Sequence, residues 1–318
     1  MEQINVLFLG GAKRVSLAEH FKKAGRDLGF NIGIYSYELE ERCPIASIGK
    51  VLIGKRWKDN DLMNDLIKVI EENHIHIVLP SVDPAIGVAS RLKSLVSDKV
   101  FIPISDTEIC DTMFDKKRSE KWFIENAIPI PESYSKTDKL DFPVFIKPRN
   151  GSASKGLEII HSSEEWSKVN NPDDYVIQRY IENKREYTVD CYVSQNGEVI
   201  SVAPRERLAV AGGEVMNSQT LKDEKLEEVS RYVLSKGVFR GPVNIQFIKD
   251  KDRDEVYVME INPRFGGGVI TSIEAGADTP KYVLQEYLGK ELKPCNDWKP
   301  GTLMTRYFKE VIFYADNH

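Results

Sequence analysis

A chain of 318 residues with 41% hydrophobic and 29% charged side chains can bury a large core in two or three domains or lobes, which excludes a disordered or fibrous protein. The formal net charge is −5 and the lysines and arginines are scattered, so no nucleic-acid surface is expected. The first apolar run is too short for a signal peptide or a membrane span, and Cys43, Cys110, Cys191 and Cys295 show no Cys-x-x-Cys spacing. A cytoplasmic protein with reduced thiols, no zinc site and no membrane partner is the resulting expectation.

Residues 1–105 alternate strand and helix in the manner of a parallel sheet with crossovers. Residues 4–9 form a strand, 15–28 a helix closed by Gly29, and 31–35 the next strand. A helix over 61–73 starts behind Asn60 as its cap and leads into a strand over 75–79. Asp83-Pro84 opens a further helix, and 100–104 supply one more strand. Gly10-Gly-Ala-Lys-Arg-Val lacks the third glycine of G-x-G-x-x-G, and no clear acidic residue ends the second strand, so a dinucleotide site is disfavoured. The preferred reading is a tight turn with free backbone N–H groups. Lys13, Arg14 and Asp83 then lie at strand C-terminal ends, as ligand contacts or as solvated loop charges.

A second region begins near Asp106. Asp115 caps a helix over 116–126 and places Lys116 in its first turn, where an anion would gain from the ammonium and the free N–H groups; a plain surface charge is the alternative. In Phe142-Pro-Val-Phe-Ile-Lys147-Pro-Arg-Asn-Gly151-Ser-Ala-Ser-Lys-Gly156-Leu-Glu-Ile-Ile, two strands enclose a small glycine-bounded loop. Order and context exclude a P-loop, yet such a loop can fold over phosphates while Lys147 supplies a point charge. A plain hairpin would leave a lysine in an apolar strand unexplained. Next, Tyr175-Val-Ile-Gln178-Arg-Tyr-Ile-Glu-Asn183 runs from strand into loop, and Glu186 sits on the following strand. Backbone groups there suit a flat base, and the carboxylate suits ribose hydroxyls.

Arg205 and Arg207, at i and i+2 of an extended segment, share a face and suit an anionic substrate or a transferring phosphoryl group; exposed edge-strand charge is the alternative. After the Gly212-Gly213 loop and a helix over 223–235 ending at Gly237 comes a hairpin, Val243-Asn-Ile-Gln246-Phe-Ile and Val256-Tyr-Val-Met-Glu260-Ile-Asn262-Pro-Arg264-Phe-Gly-Gly-Gly268. Alternation puts Tyr257, Met259 and Ile261 on one face and Val256, Val258, Glu260 and Asn262 on the other. Pairing Ile248 with Val256 sets Gln246 opposite Val258 and diagonal to Glu260. One carboxylate and two amide oxygens are hard donors that suit Mg²⁺ carrying phosphates; a solvated strand end is the other possibility. Segments 270–275, 279–288 and a strand around 302–308 complete the core, with Arg306 placed towards the site.

Taken in order, Asp115-Lys116, the Lys147 strand, Gly151-Ser-Ala-Ser-Lys-Gly156, Gln178-Arg-Tyr-Ile181 with Glu186, Gln246 and Glu260-Ile-Asn262-Pro-Arg264 resemble the ATP-grasp superfamily. The branch is the one that includes the carbamoyl-phosphate synthase large subunit, biotin carboxylase and amino-acid ligases. The resemblance covers about 106–310. It implies an α/β and α+β chain: a Rossmann-like pre-ATP-grasp domain with a parallel sheet over 1–105, then an ATP-grasp domain over 106–318. The ATP-grasp fold holds ATP between two α+β lobes, here a small lobe at about 115–180 and a large lobe at about 181–310.

It further implies that Lys116 and Lys147 bind ATP phosphates, that Gly151, Ser152, Ser154 and Gly156 close over them, and that the backbone of Arg179 and Ile181 pairs with adenine. Gln178 then meets the adenine amino group, Glu186 the ribose, and Gln246, Glu260 and Asn262 hold Mg²⁺, for which Mn²⁺ can substitute. Arg264 is expected to stabilise the γ-phosphoryl group, helped by Lys147 and by Arg205 or Arg207. The implied activity is an ATP-dependent ligase joining a small carboxylate to an amine through an acylphosphate, with small-molecule partners and, by analogy, a homodimer. Such chemistry rests on positioning and charge neutralisation and needs no nucleophilic side chain. The length leaves room for one ATP-grasp unit, against a complete carbamoyl-phosphate synthase. Alternatives are a nucleotide-binding regulatory protein of the same fold without turnover and a Rossmann dehydrogenase built on 1–105.

Overall fold

The computed structural model describes residues 2–150 and 156–314. Strand β1 (Gln3–Leu9) is the centre of the first sheet: Val6, Leu7, Phe8 and Leu9 are fully buried, as expected of a parallel strand covered on both faces. Helix α1 (Val15–Leu28) buries Leu17, Ala18, Phe21 and Ala24 against it. The helix stops at Gly29, whose φ of 87° lets its N–H and that of Phe30 return to the carbonyls of Arg26 and Gly25. Strands β2 (Asn31–Glu38), β3 (Lys50–Ile53) and, after helix α2 (Leu62–Glu72), β4 (Ile77–Pro80) complete a parallel sheet of order β3-β2-β1-β4. Helix α3 (Asp83–Leu92) follows and packs with α2 on the face opposite α1.

Four expectations for this region need correction. The residue before α2 is Asp61 rather than Asn60, and its side chain makes no cap bond. The segment 100–104 contributes only an isolated bridge, Phe101 to Ile77, because Pro103 has no N–H for a ladder. The second strand runs on to Glu38, so an acidic residue does end it, and the Gly10-Gly11 turn has no N–H groups to spare. Gly10 donates to the Tyr37 carbonyl and Gly11 to Ser36 Oγ, while the Glu38 carboxylate lies against the N–H groups of Gly11 and Ala12. The turn is satisfied from within the domain, which removes the anion-binding concavity that a dinucleotide would need.

Helices α4 (Thr107–Phe114) and α5 (Lys116–Glu125) lead to a small antiparallel sheet. Asp115 caps α5 as expected, its Oδ1 accepting from the N–H groups of Lys117 and Arg118 at 3.0 and 3.2 Å. The sheet contains β5 (Ser133–Tyr134), β6 (Val144–Pro148), β7 (Glu158–Ile160) and, after the single-turn helix α6 (Ser163–Trp166), β8 (Tyr175–Arg179). Its order is β5-β8-β6-β7, with Val144, Ile146, Ile160 and Ile177 as core.

The large sheet is built from β9 (Lys184–Val193), β10 (Val199–Ala211), β11 (Glu214–Thr220), β12 (Gly241–Asp250), β13 (Glu255–Asn262) and β14 (Leu303–Thr305). They run in the order β13-β12-β9-β10-β11-β14. One face is apolar: Val189, Cys191, Ile245, Phe247, Val258 and Ile261 pack on α7 (Glu224–Leu234) through Leu226, Val233 and Leu234, and on Ile109 and Phe123. The other face carries Asp190, Arg207, Gln246, Glu260 and Asn262 and turns towards the small sheet. Helices α8 (Ile270–Glu274) and α9 (Thr279–Tyr287) join the first sheet to the large one, with Phe265, Val283 and Leu284 sharing a core with Phe8, Phe21 and Ile34. The parallel sheet is therefore docked on the large sheet's end, which brings α3 to the cleft.

Candidate active site

Register in the β12–β13 hairpin departs from simple alternation. Ile248 pairs with Tyr257 and Phe247 with Val258, but Gln246 pairs with Glu260, so Met259 is an extra residue on β13. This β-bulge reverses the alternation after Val258. Val256, Val258 and Ile261 consequently enter the core, while Glu260 and Asn262 face the cleft with Gln246. The expected diagonal relation of Gln246 and Glu260 becomes a direct cross-strand one. Asn262 Nδ2 donates to Glu260 Oε1 at 2.9 Å, and Gln246 Oε1 accepts from Arg207 Nη1 at 3.1 Å. Glu260 Oε2 and Asn262 Oδ1 have no partner among the described residues. Among those residues no cluster of three or more His, Cys, Asp or Glu could hold a metal, so a cation at this hairpin would rely on one carboxylate, amide oxygens and oxygens brought by a ligand.

The bulge also frees the Met259 carbonyl, which accepts from Lys147 Nζ at 3.3 Å across the cleft. Lys147 is 8% exposed, and burial lowers its pKa to about 8; Glu120 and Glu260 oppose that shift and Lys116 adds to it. A buried ammonium held by one neutral carbonyl is poised to take an anion. Lys116 lines the same cavity, and its N–H bonds to the Arg149 carbonyl at 3.0 Å, tying the start of α5 to the end of β6. Gly151, Ser152 and Ser154 lie outside the described residues. Gly156 is described: its φ is 72° and a Cβ there would come within 2.9 Å of Pro148 Cγ, so the position requires glycine.

The cavity, about 350 Å³, lies between the two antiparallel sheets. At its inner end Gln178 is 2% exposed; its Nε2 donates to Glu120 Oε1 at 3.1 Å while its Oε1 has no partner. The Arg179 N–H is taken by the Glu132 carbonyl and the Ile181 carbonyl by Lys184 Nζ, whereas the Ile181 N–H has no partner among the described residues. Glu186 is half-exposed at the rim, its Oε2 3.4 Å from Arg207 Nε. Burial lowers the Arg207 pKa and Glu186 partly restores it.

At the other end, Arg264 clamps Asp83 of α3, with Nε 2.7 Å from Oδ1, and donates to the Phe265 carbonyl. Arg14 is half-buried, donates to the carbonyls of Ser81 and Gly266 at 2.9 and 3.2 Å, and pairs with no carboxylate among the described residues. Burial, then the Arg264 charge, lowers its pKa to about 10. Arg306 donates to Glu214 and to the Gly267 carbonyl, both at 2.6 Å. Three guanidiniums thus share two carboxylates around the Gly266–Gly268 turn, a net positive corner. Arg205 is elsewhere, which corrects its expected role. At 1% exposure it is salt-bridged to Asp190 at 2.7 Å, and Asp190 also accepts from Asn244 and Ser272. Its strand lies inside the sheet, between β9 and β11, so exposed edge charge does not describe it either. Asp190 and Arg205 lie directly under the glycine turn, where a Cβ on Gly266 or Gly268 would meet Asn244 Nδ2 at 2.4 Å or Arg205 Nη1 at 2.7 Å.

Sequence reasoning missed Glu120, Met259 and Glu214. Glu120 follows Lys116 by one helical turn and so shares its face, the one available signal. Met259 acts through its backbone, and Glu214 only through a strand pairing.

Parallel sheet, small antiparallel sheet and large antiparallel sheet around this cleft define the ATP-grasp fold. Residues 171–309 match the family model described as ATP-grasp in the biosynthetic pathway with Ter operon. The carbamoyl phosphate synthase large chain, C-terminal section, of Methanopyrus kandleri is 26% identical over 265 residues, 72% of this chain and 47% of that protein. The D-alanine–D-alanine ligase of Petrotoga mobilis is 30% identical over 202 residues, 55% of this chain and 66% of that one. In structure, the biotin carboxylase domain of Hydrogenobacter thermophilus 2-oxoglutarate carboxylase, crystallised with MgADP and bicarbonate, superposes with a TM-score of 0.75 at 17% identity, covering 93% of this chain and 72% of that one. The protein therefore carries an ATP-grasp domain with relatives among carbamoyl-phosphate synthase large chains. It spans about half the length of the Methanopyrus relative.

Proposed function

We propose that the protein is an ATP- and Mg²⁺-dependent ligase that activates a small carboxylate as an acylphosphate for attack by an amine, releasing ADP and phosphate. The observation that carries this reading is the β13 bulge. It turns Glu260 and Asn262 into the cleft beside Gln246 and aims a backbone carbonyl at Lys147, so cation ligands and an anion-seeking ammonium face one another across one cavity. The organisation proposed with it is a Rossmann-like domain over 1–105 and an ATP-grasp domain over 106–318, nucleotide bound between its lobes.

The residues fit magnesium. Glu260 Oε2 and Asn262 Oδ1 would be the principal ligands, with Gln246 using the lone pair that Arg207 leaves open, and the remaining positions would fall to phosphate oxygens and water. Bound there, the ion would neutralise phosphate charge during transfer. Lys116 and Lys147 hold the triphosphate, Gln178 and the Ile181 N–H face the base, and Glu186 faces the ribose. A carboxylate oxygen attacks the γ-phosphorus, the bond to ADP breaks, and Arg264 and Arg207 balance the charge that develops. The amine nitrogen then attacks the acyl carbon, phosphate leaves, and the nitrogen gives up a proton. Arg14, Arg264 and Arg306 supply the field that holds the acid. Arg205 positions the glycine turn from below.

Small-molecule substrates, a homodimer like the biotin carboxylase domain dimer, and a cytoplasmic setting extend the proposal; the described cysteines are all unpaired. No helix among the described residues is long and apolar enough to cross a membrane. The test is ADP release with Mg²⁺ over pairs of carboxylic acids and amines. Release that depends on both substrates supports the ligase, and nucleotide binding with no release for any pair favours the regulatory alternative.

A further inference from the structure

Gln178 poses a problem of orientation that a carboxylate in its place would not. An amide has one accepting edge and one donating edge, and turning it over exchanges them. The side chain is 2% exposed and lines the cavity, so whichever edge faces inward decides what a planar ligand must offer. The edge facing away settles the matter. Nε2 is 3.1 Å from Glu120 Oε1 and 3.4 Å from Ser133 Oγ, and Ser133 Oγ itself donates to Glu120 Oε1 at 2.6 Å. A carboxylate only accepts, so the opposite orientation would set the amide oxygen against the Glu120 oxygen with no proton between them. The amide is thereby fixed with Oε1 left over, and Oε1 is buried without a partner. A buried orphan acceptor is costly to leave unmatched, and a ligand that donates to it is favoured accordingly.

We infer that Glu120, with Ser133, is a positioning residue that locks the Gln178 amide as an acceptor and so makes the cleft select a purine with an amino group at C6 over one with a carbonyl there. The inference rests on the nucleotide reading proposed above. Adenine presents N6–H and an accepting N1, which complement Gln178 Oε1 and the Ile181 N–H; hypoxanthine presents O6 and a donating N1–H, which mismatch both. Nothing on the strand carrying Gln178 fixes this choice. It comes from α5, 58 residues earlier in the chain.

The test measures dissociation constants of MgATP and MgITP by calorimetry on the full chain, for the parent, Glu120→Gln, Ser133→Ala, Gln178→Glu and the double variant Glu120→Gln/Gln178→Glu. The parent is expected to prefer ATP by about tenfold or more, the low end of what an unmatched buried acceptor costs. Glu120→Gln, which can face the Gln178 amide in either orientation, should lower that preference about tenfold, and Ser133→Ala about threefold. Gln178→Glu accepts with both oxygens, so the double variant should recover the preference while keeping the altered residue 120. A merely structural role for Glu120 would move both nucleotides together and show no recovery. An unchanged ratio in both Glu120→Gln and Ser133→Ala, or a ratio lost in Glu120→Gln and not restored in the double variant, overturns the inference with the nucleotide reading intact. A parent that binds neither nucleotide overturns both.

Discussion

Replacing Lys147 by methionine separates two roles that burial forces on one side chain. The pKa of about 8, against an ordinary 10.5, means that folding holds the charged form back by about 3 kcal/mol. The lost hydrogen bond to the Met259 carbonyl returns about 1–3 kcal/mol of that, because the carbonyl is left unmatched. The fold should therefore keep its Tm or gain slightly. Nucleotide binding goes the other way. One ammonium about 4 Å from a phosphate contributes up to about 4 kcal/mol at an effective dielectric of 20, so MgATP affinity should fall on the order of 10²-fold. The sign with pH follows from the same shift. Phosphate raises the lysine pKa, so above about pH 8 binding must take up a proton, and affinity should weaken from there by up to tenfold per pH unit in the parent but not in the variant. Stability runs oppositely: the unfolded chain holds the Lys147 proton between about pH 8 and 10.5 where the folded one does not, so this group adds stability as pH rises through that window. Calorimetric titrations at several pH values and a thermal melt read both. A variant that binds MgATP as tightly as the parent, or one that melts well below it, would refute the reasoning.

Other perturbations read separate parts of the cleft. Glu260→Gln should cut Mg²⁺-dependent ADP release by at least about 10²-fold with the circular dichroism spectrum and Tm retained; near-parental turnover would remove the metal role. Asp190→Asn breaks a buried pair and should destabilise the fold by about 3–5 kcal/mol in denaturant unfolding, leaving Arg205 charged and unmatched. A small effect, within about 1 kcal/mol, would mean that the pair does not hold the glycine turn. Gly266→Ala forces a Cβ against Asn244 and Asp190 and should raise KM for the acid far more than the MgATP dissociation constant; equal effects on both would place the turn wrongly.

Elements whose bounds depend on local chemistry were legible. Gly29 ends α1 and Asp115 starts α5, because each meets a need of the nearest turn of backbone. Lys147 stood out because an ammonium in an apolar strand needs a partner. What escaped was set by tertiary pairing. Alternation cannot reveal the Met259 bulge, since an extra residue shows only against a partner strand. It is nonetheless what turns Glu260 and Asn262 towards the cleft. Arg205 and Arg207 look alike in sequence, but Asp190 draws one beneath a turn while the other stays at the cavity. Glu38 was overlooked because the second strand is three residues longer than its apolar run, and its own carboxylate occupies the glycine turn. Glu120 meets Gln178 only when α5 packs on the small sheet.

The claim that everything else depends on is that nucleotide and magnesium sit between the two antiparallel sheets. A crystal structure of the full chain grown with ADP and Mg²⁺ measures it directly. The account predicts the adenine amino group on Gln178 Oε1, the β-phosphate on Lys147, and a magnesium ion bound by Glu260 and Asn262. Nucleotide bound anywhere else, or a metal coordinated without Glu260, would contradict it.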